Sequence, residues 1–388
     1  MAEREHLRIT GVHAVSALGR GADALLAGVL AGTPAFTPVR RFDTTGRRVT
    51  VAATLPDVGT LTDELTDAVD RACRAAGLDQ AHRAGAALFL ATHGGPPSLP
   101  ASDAPAGDPS GAPGGGDAAS EVPALAGRLA RRCGLGGRTR VYTTACVSAS
   151  TAVADAATLI SRGDLDRVVV AAGYLVEPDQ YALFDAGRAL AADGAVRPFS
   201  AGRQGLLLGD AVVAVVLESS RAAARRSAPT LATVAGWGRA GDAYHPCQPH
   251  PQGHGLARAV EAALRRAGLP GTEVGYVNAN ATGTPYSDAS EAAALVRVFG
   301  AAAGRIPVSS TKAVHGHALE ASGLLELVVT VLTLGHGKLP VNAGWLGPDE
   351  NCPLDVITDA PRPAPTPYAL TLNAAFGGAN TALLVGAP

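Results

Sequence analysis

Residues 140–173 read RVYTTACVSASTAVADAATLISRGDLDRVVVAAG. The first five residues (140–144) are β-branched or aromatic enough for a strand. Small and apolar residues then run through 147–161 with a helical composition, Gly163 and Asp164 break the pattern, and 167–173 is a second apolar strand. Strand, helix and strand within 34 residues make a βαβ unit. Neither strand alternates apolar with polar, as expected of strands buried on both faces.

The same rhythm extends outward. Strands are expected at 7–10, 86–92, 211–218, 275–279, 307–310, 354–358, 368–374 and 381–386, and helices at 61–77, 121–133, 253–267, 287–299 and 317–334. Alternation of this kind predicts an α/β layered fold. The halves share the strand–helix rhythm without a repeat at the level of letters, and 219–230 (SSRAAARRSAPT) is a candidate boundary between them. Residues 94–120, rich in Gly, Pro, Ala and Ser, are expected to form a mobile surface loop.

With 388 residues, 47% hydrophobic and 17% charged, the chain can bury a large core. Its net charge of −2 gives no general attraction to nucleic acid or anionic membrane. The sequence offers no uncharged apolar run of membrane-spanning length and no apolar leader. Five scattered cysteines without C-x-x-C spacing argue against a disulfide framework or a zinc site and for a reducing cytoplasm.

Cys146 falls between a strand and a helix, where the positive helix end and its free N–H groups are expected to lower the thiol pKa. Cys73 and Cys133, on Arg-rich helices, suit structural roles. An acyl-accepting thiol needs a base and an oxyanion hole. Residues 308–329 (VSSTKAVHGHALEASGLLELVV) offer Lys312, His315, His317 and, further on, Glu326; Lys312 is one of only two lysines in the chain. The Gly-rich turn NAAFGGAN (373–380) is suited to presenting backbone N–H groups, and NANATGTP (278–285) is a third polar turn. The pair His315/His317 and the segment HPCQPHPQGHG (245–255) look metal-like but lack an acidic partner cluster.

Taken together, Cys146, Lys312, His317 and the FGG turn resemble the β-ketoacyl synthases, condensing enzymes with the duplicated thiolase fold. Further segments follow in family order: ITGVHAVSALG (9–19), RFDTTG (41–46), TTACVSAS (143–150), RPFSAGRQGLLLGD (197–210), GDAYH (241–245), YVNANATGTPYSD (276–288), SSTKAVHGH (309–317) and AFGGAN (375–380). The resemblance implies a layered αβαβα architecture of two βαβαβ halves, 1–225 carrying the nucleophile and 226–388 the remaining site residues. It casts Cys146 as the acyl-carrying nucleophile and His317 as a catalytic histidine supported by the Lys312–Glu326 ion pair. Cys146, Phe376 and Gly377 become the oxyanion hole and substrate gate, and Thr282 and Thr284 substrate-binding residues. No cofactor or metal is implied. An acyl carrier protein or acyl-CoA is the implied donor, with Arg128, Arg131 and Arg132 as candidate docking charges, and a homodimer or ketosynthase-type heterodimer is the implied assembly.

The chain departs from the family at 280–284, where His-Gly-Thr-Gly-Thr is replaced by Asn280-Ala281-Thr282-Gly283-Thr284. Gln204 and Asp210 also stand where the family has Asp and Glu. An amide donates hydrogen bonds but exchanges no proton at neutral pH. The expectation is therefore an enzyme that loads an acyl group on Cys146 and passes it to an acceptor without decarboxylative condensation. The alternatives are a decarboxylating synthase with a Cys-Asn-His site, and a non-catalytic subunit like a chain-length factor.

Overall fold

A computed structural model describes residues 7–93 and 118–388. The expected loop at 94–120 lies outside the described residues except for its last three, which already belong to a helix.

The main strands, in chain order, are β1 (Leu7–Ser16), β2 (Ala87–Ala91), β3 (Thr139–Tyr142), β4 (Arg167–Tyr174), β5 (Ala211–Ser219), β6 (Ala232–Gly241), β7 (Val274–Asn278), β8 (Pro307–Ser309), β9 (Asp355–Val356), β10 (Tyr368–Ala374) and β11 (Ala379–Gly386). The helices that position the site are α1 (Leu61–Ala75), α2 (Ala118–Cys133), α3 (Ser148–Ser161), α4 (Pro178–Ala186), α5 (His254–Ala267), α6 (Pro285–Phe299) and α7 (Ser322–His336).

The strands pair in the order β9-β8-β7-β10-β11-β6-β1-β5-β4-β2-β3. A single topology occurs twice. In the first half β2 runs parallel to β3 and β4, then β5 and β1 add antiparallel. In the second half β7 runs parallel to β8 and β10, then β11 and β6 add antiparallel. The halves join where Leu7, Arg8 and Ile9 of β1 pair antiparallel with Val234, Thr233 and Ala232 of β6.

Helices then form three layers. On the outer face of the first half, α1 covers β1, β5 and β4 while α2, beside it, covers β3 and β2, and on the second half α5 lies on β6 and β11 with α6 beside it. Between the halves lie α3 and α7, each touching strands of both. Helix α3 is buried on nearly every side, and its Ala, Ser and Thr residues let two sheets close on it. Leu319–His336 is long and apolar enough to cross a membrane by composition alone, but it contains Glu320 and Glu326 and is 83% buried inside this middle layer.

Strand β6 was not expected from sequence. It reads ATVAGWGRAG, and its glycines weaken a strand pattern. They serve close packing instead: a Cβ at Gly238 would sit 1.8 Å from the Ala259 carbonyl oxygen of α5, and one at Gly236 2.1 Å from that of Ala263. The candidate boundary at 219–230 holds a short helix, Ser220–Arg225, leading directly into β6.

Candidate active site

Cys146 sits in a single 3₁₀ turn, Ala145–Val147, that links β3 to α3. Ala145 adopts a left-handed φ of 51°, a sharp bend of the kind that holds a functional residue in a fixed direction. The neighbouring hydroxyls serve the turn itself: Ser148 Oγ donates to the Ala145 carbonyl at 2.7 Å, and Ser150 Oγ meets Thr381 Oγ1 at 2.6 Å.

The expected lowering of the thiol pKa is not what the surroundings produce. Burial, with the charge of Glu320 acting in the same direction, pushes the Cys146 thiol up to about 12 against the pull of Lys312. Desolvation outweighs the helix end, so the resting sulfur is a thiol and must give up its proton during attack. Cys73 and Cys133 are likewise pushed up by burial, to about 11 and about 12, and lie in the outer core of the first half.

The second half brings its residues to one place through three turns at the carboxyl ends of β7, β8 and β10. Lys312 opens a short helix, Lys312–His315, after β8. Its ammonium, 1% exposed, pairs with Glu326 Oε1 and reaches Asn280 Oδ1 at 3.4 Å, while Asn373 Nδ2 donates to Glu326 Oε2 at 2.6 Å. Lys312, Glu326, Asn280 and Asn373 thus form one buried polar network. Because a lysine only donates, it fixes the Asn280 amide with its oxygen toward Nζ and its Nδ2 donors turned away.

His317 is buried, and its Nδ1 meets Ser322 Oγ at 2.8 Å; that hydroxyl also accepts the Ala318 N–H at 3.0 Å. Burial first, and then Lys312 and His315, hold the imidazole pKa well below its usual value, so the ring is neutral. A hydroxyl both gives and accepts hydrogen bonds, so Ser322 orients the ring without committing Nε2 to one role. Among the described residues Nε2 has no hydrogen-bond partner.

His315 is a different case. Its Nδ1 meets the Gly316 carbonyl at 2.8 Å and its Nε2 meets Thr311 Oγ1 at 2.9 Å, so both nitrogens are used structurally. The metal-like segment at 245–255 also turns inward on itself. His245 and His250 accept neighbouring backbone N–H groups, and the rings of His250 and His254 stack at 4.2 Å.

The loop carrying Asn280 rests on two buried acids that sequence reading missed. Glu291 Oε1 accepts the Asn280 N–H at 2.8 Å, and Asp288 accepts those of Thr282, Gly283 and Phe199. Burial pushes Glu291 up to about 8 and Asp288 up to about 7. Their only signal in the sequence was the acidic pair three residues apart at the start of α6. The Thr282 and Thr284 hydroxyls, expected to bind substrate, meet each other at 3.0 Å, a pairing that leaves one O–H free to donate.

The FGG turn joins β10 to β11. Phe376 is 53% exposed and stacks on Phe184 of α4 with ring centroids 6.0 Å apart. Gly377 does not fit the oxyanion role expected of it, because its N–H donates to the Pro246 carbonyl at 2.6 Å. The N–H groups of Phe376 and Cys146 have no hydrogen-bond acceptor among the described residues. Of the candidate docking arginines, Arg132 pairs with Asp63 at 2.9 Å, while Arg128 and Arg131 are exposed.

Comparison with known proteins agrees with this architecture. Residues 62–223 match the family described as "Beta-ketoacyl synthase, N-terminal domain" and residues 231–345 match "Beta-ketoacyl synthase, C-terminal domain". The chain is 34% identical over 271 residues to the 3-oxoacyl-[acyl-carrier-protein] synthase 2 of Staphylococcus aureus, covering 68% of this chain and 67% of that one. It is 39% identical over 263 residues to nodulation protein E of Rhizobium meliloti, covering 67% of this chain and 64% of that one. The matched stretch thus spans about two thirds of these relatives. Among solved structures, the ishigamide ketosynthase/chain length factor superposes with a TM-score of 0.89 at 28% identity, covering 99% of this chain and 100% of that chain. A β-ketoacyl synthase from Burkholderia phymatum superposes with a TM-score of 0.88 at 27% identity, with the same coverage.

Proposed function

The chain belongs to the β-ketoacyl synthase family, and from that membership we propose that it is an acyltransferase that passes its cargo on without decarboxylative condensation. An acyl carrier protein or CoA thioester delivers the acyl group to Cys146. The thiol sulfur attacks the thioester carbonyl, the donor thiol leaves with the proton, and a new thioester remains on the enzyme. A nucleophilic acceptor then attacks that thioester. His317 takes the acceptor proton at Nε2 and returns it to the departing Cys146 sulfur. The Cys146 and Phe376 N–H groups and the Asn280 amide stabilise the developing oxyanion. On this reading residues 1–225 carry the nucleophile, and 226–388 carry Asn280, Lys312, His317 and the FGG turn.

One observation carries the proposal. Position 280 holds an amide whose oxygen is tied to Lys312, so it offers hydrogen-bond donors and no group that titrates near neutral pH. His317 is then the single ring at this site that moves protons, which suffices for transfer to a heteroatom. A second reading rests on the same amide. Asn280 Nδ2 and His317 Nε2–H acting together would stabilise an enolate oxygen and permit decarboxylation. A non-catalytic subunit is the weaker reading, because the thiol, the neutral imidazole and the lysine–glutamate pair are all retained.

The test is to acylate Cys146, add malonyl carrier protein, and follow CO₂ release and product mass. The expected result is no CO₂ from the native chain, with condensation switched on by Asn280→His. CO₂ together with a β-keto product from the native chain would overturn transfer without condensation and select the second reading.

A further inference from the structure

The link between β6 and α5, residues 242–253, and the first residue of α5 carry three imidazoles that the proposed chemistry does not use. Ala243, at φ 50°, and Gly253, at φ 60°, bend the chain near the two ends of the link. Among the described residues no group of three His, Cys, Asp or Glu side chains is placed to hold a metal ion. The rings hold the link's own backbone instead. His245 Nδ1 accepts the Cys247 and Gln248 N–H groups, both at 3.1 Å, and His250 Nδ1 accepts that of Gln252 at 3.2 Å. The His250 ring also meets Tyr244 at 5.0 Å and stacks on His254 at 4.2 Å.

These contacts require neutral rings. A ring nitrogen accepts only while unprotonated. An imidazolium donates from both nitrogens and would set an N–H against the backbone N–H groups it had served. Two stacked imidazoliums would also repel each other. The other titratable or charged groups around the rings are Asp242 after β6, Tyr244 and Cys247 in the link, Arg258 on α5 and Arg297 on α6. Desolvation first, and then His250, Arg297 and Arg258, hold the His254 pKa below its usual value against the pull of Asp242.

The same link is fastened to the FGG turn. The Pro246 carbonyl, next to His245, accepts the Gly377 N–H at 2.6 Å, and the Asp242 N–H donates to the Gly378 carbonyl at 2.8 Å. The Asp242 carboxylate accepts Asn380 Nδ2 at 3.1 Å and the N–H groups of His250 and Gly255, both at 3.0 Å. We propose that this link is a pH-operated clamp: with His245 and His250 neutral it fixes the FGG turn, and protonation of the two rings releases it. Once released, the turn no longer holds the Phe376 ring and N–H in place for the Cys146 site, and acyl loading slows. The effect on loading rests on Cys146 being acylated; the clamp does not.

Hydrogen exchange of the backbone over 373–380 is followed by mass spectrometry at about pH 5.5 and about pH 7.5, on either side of the ordinary imidazole midpoint near 6.5. Each rate is divided by that of an unstructured peptide at the same pH. In the native chain protection should fall at least about tenfold at the lower pH, roughly the loss of one net hydrogen bond, while that of β4 does not follow. His245→Asn/His250→Asn puts an amide oxygen in place of each accepting Nδ1 and cannot titrate. It should keep its protection at both pH values. At the lower pH it should also load hexanoyl-N-acetylcysteamine, read by intact mass, faster than the native chain. His245→Ala has no acceptor and should be loose at both. Equal native protection at the two pH values overturns the clamp, as does an equal fall in the Asn variant. So does a His245→Ala chain as protected as the native one at the higher pH. An Asn variant that stays protected yet loads no faster overturns the effect on loading. Loss of protection with no label on Cys146 at either pH upholds the clamp and sinks the acylation reading.

Discussion

Replacing Lys312 with methionine tests the network that holds Asn280. The lysine is 1% exposed and Glu326 is fully buried, so each charge depends on the other for compensation. With the ammonium gone, Glu326 keeps one donor, the Asn373 amide at 2.6 Å, and burial already raises its pKa. A carboxyl so placed either stays ionised without a partner or takes up a proton, and both cost stability. Breaking a buried pair by removing one member costs about 3–5 kcal/mol. Glu326→Gln alone should cost a similar amount by stranding the ammonium. The double variant Lys312→Met/Glu326→Gln leaves no buried charge, fills most of the lysine stem, and keeps an acceptor for Asn373. It should return to within about 2 kcal/mol of the native chain, because neutral replacement of a whole buried pair is often tolerated. Urea unfolding of the four proteins closes the cycle. Strictly additive losses, or a single-variant cost below about 1 kcal/mol, would refute the claim that the pair is one desolvated unit. Even the stable double variant should transfer acyl groups slowly, because the Asn280 amide has lost the lysine that orients it.

Glu291, held near 8 when folded against an ordinary value of 4.5, contributes stability that is whole below about 4.5 and drains away as pH rises from there to about 8. The slope is at most about 1.4 kcal/mol per pH unit. Glu291→Gln keeps an acceptor for the Asn280 N–H and should flatten that slope in urea midpoints, leaving the share due to Asp288; an unchanged slope would contradict the assignment. Ser322→Ala frees the His317 ring and should lower the transfer rate constant roughly tenfold with little change in KM, measured by acceptor turnover. Gly238→Ala forces a methyl against the Ala259 carbonyl and should cost about 1–3 kcal/mol by thermal unfolding; a neutral result would mean that α5 lies further from β6.

Short segments determine what depends on near neighbours along the chain. The apolar runs of β4, β5 and β10 identify themselves as buried strands, and Cys146 shows itself at a strand-to-helix turn. The replacement at Asn280 is legible in the letters alone, as is the order of motifs that carries the family resemblance. These readings succeed because strand, helix and turn preferences are set within a few residues. Strand β6 escaped because its glycines weaken the local pattern for the benefit of a helix some 20 residues later, at Ala259.

Tertiary structure alone decided what depends on groups distant in sequence. It fixed how the two expected halves join, through Leu7–Ile9 of β1 and Ala232–Val234 of β6. It raised the Cys146 thiol, because desolvation is set by everything packed around the sulfur. It bound the Gly377 N–H to Pro246, closed the Thr282 and Thr284 hydroxyls on each other, and set Glu291 and Asp288 beneath the Asn280 loop. Charge and burial act through space, so the chemistry of this site belongs to the packed molecule.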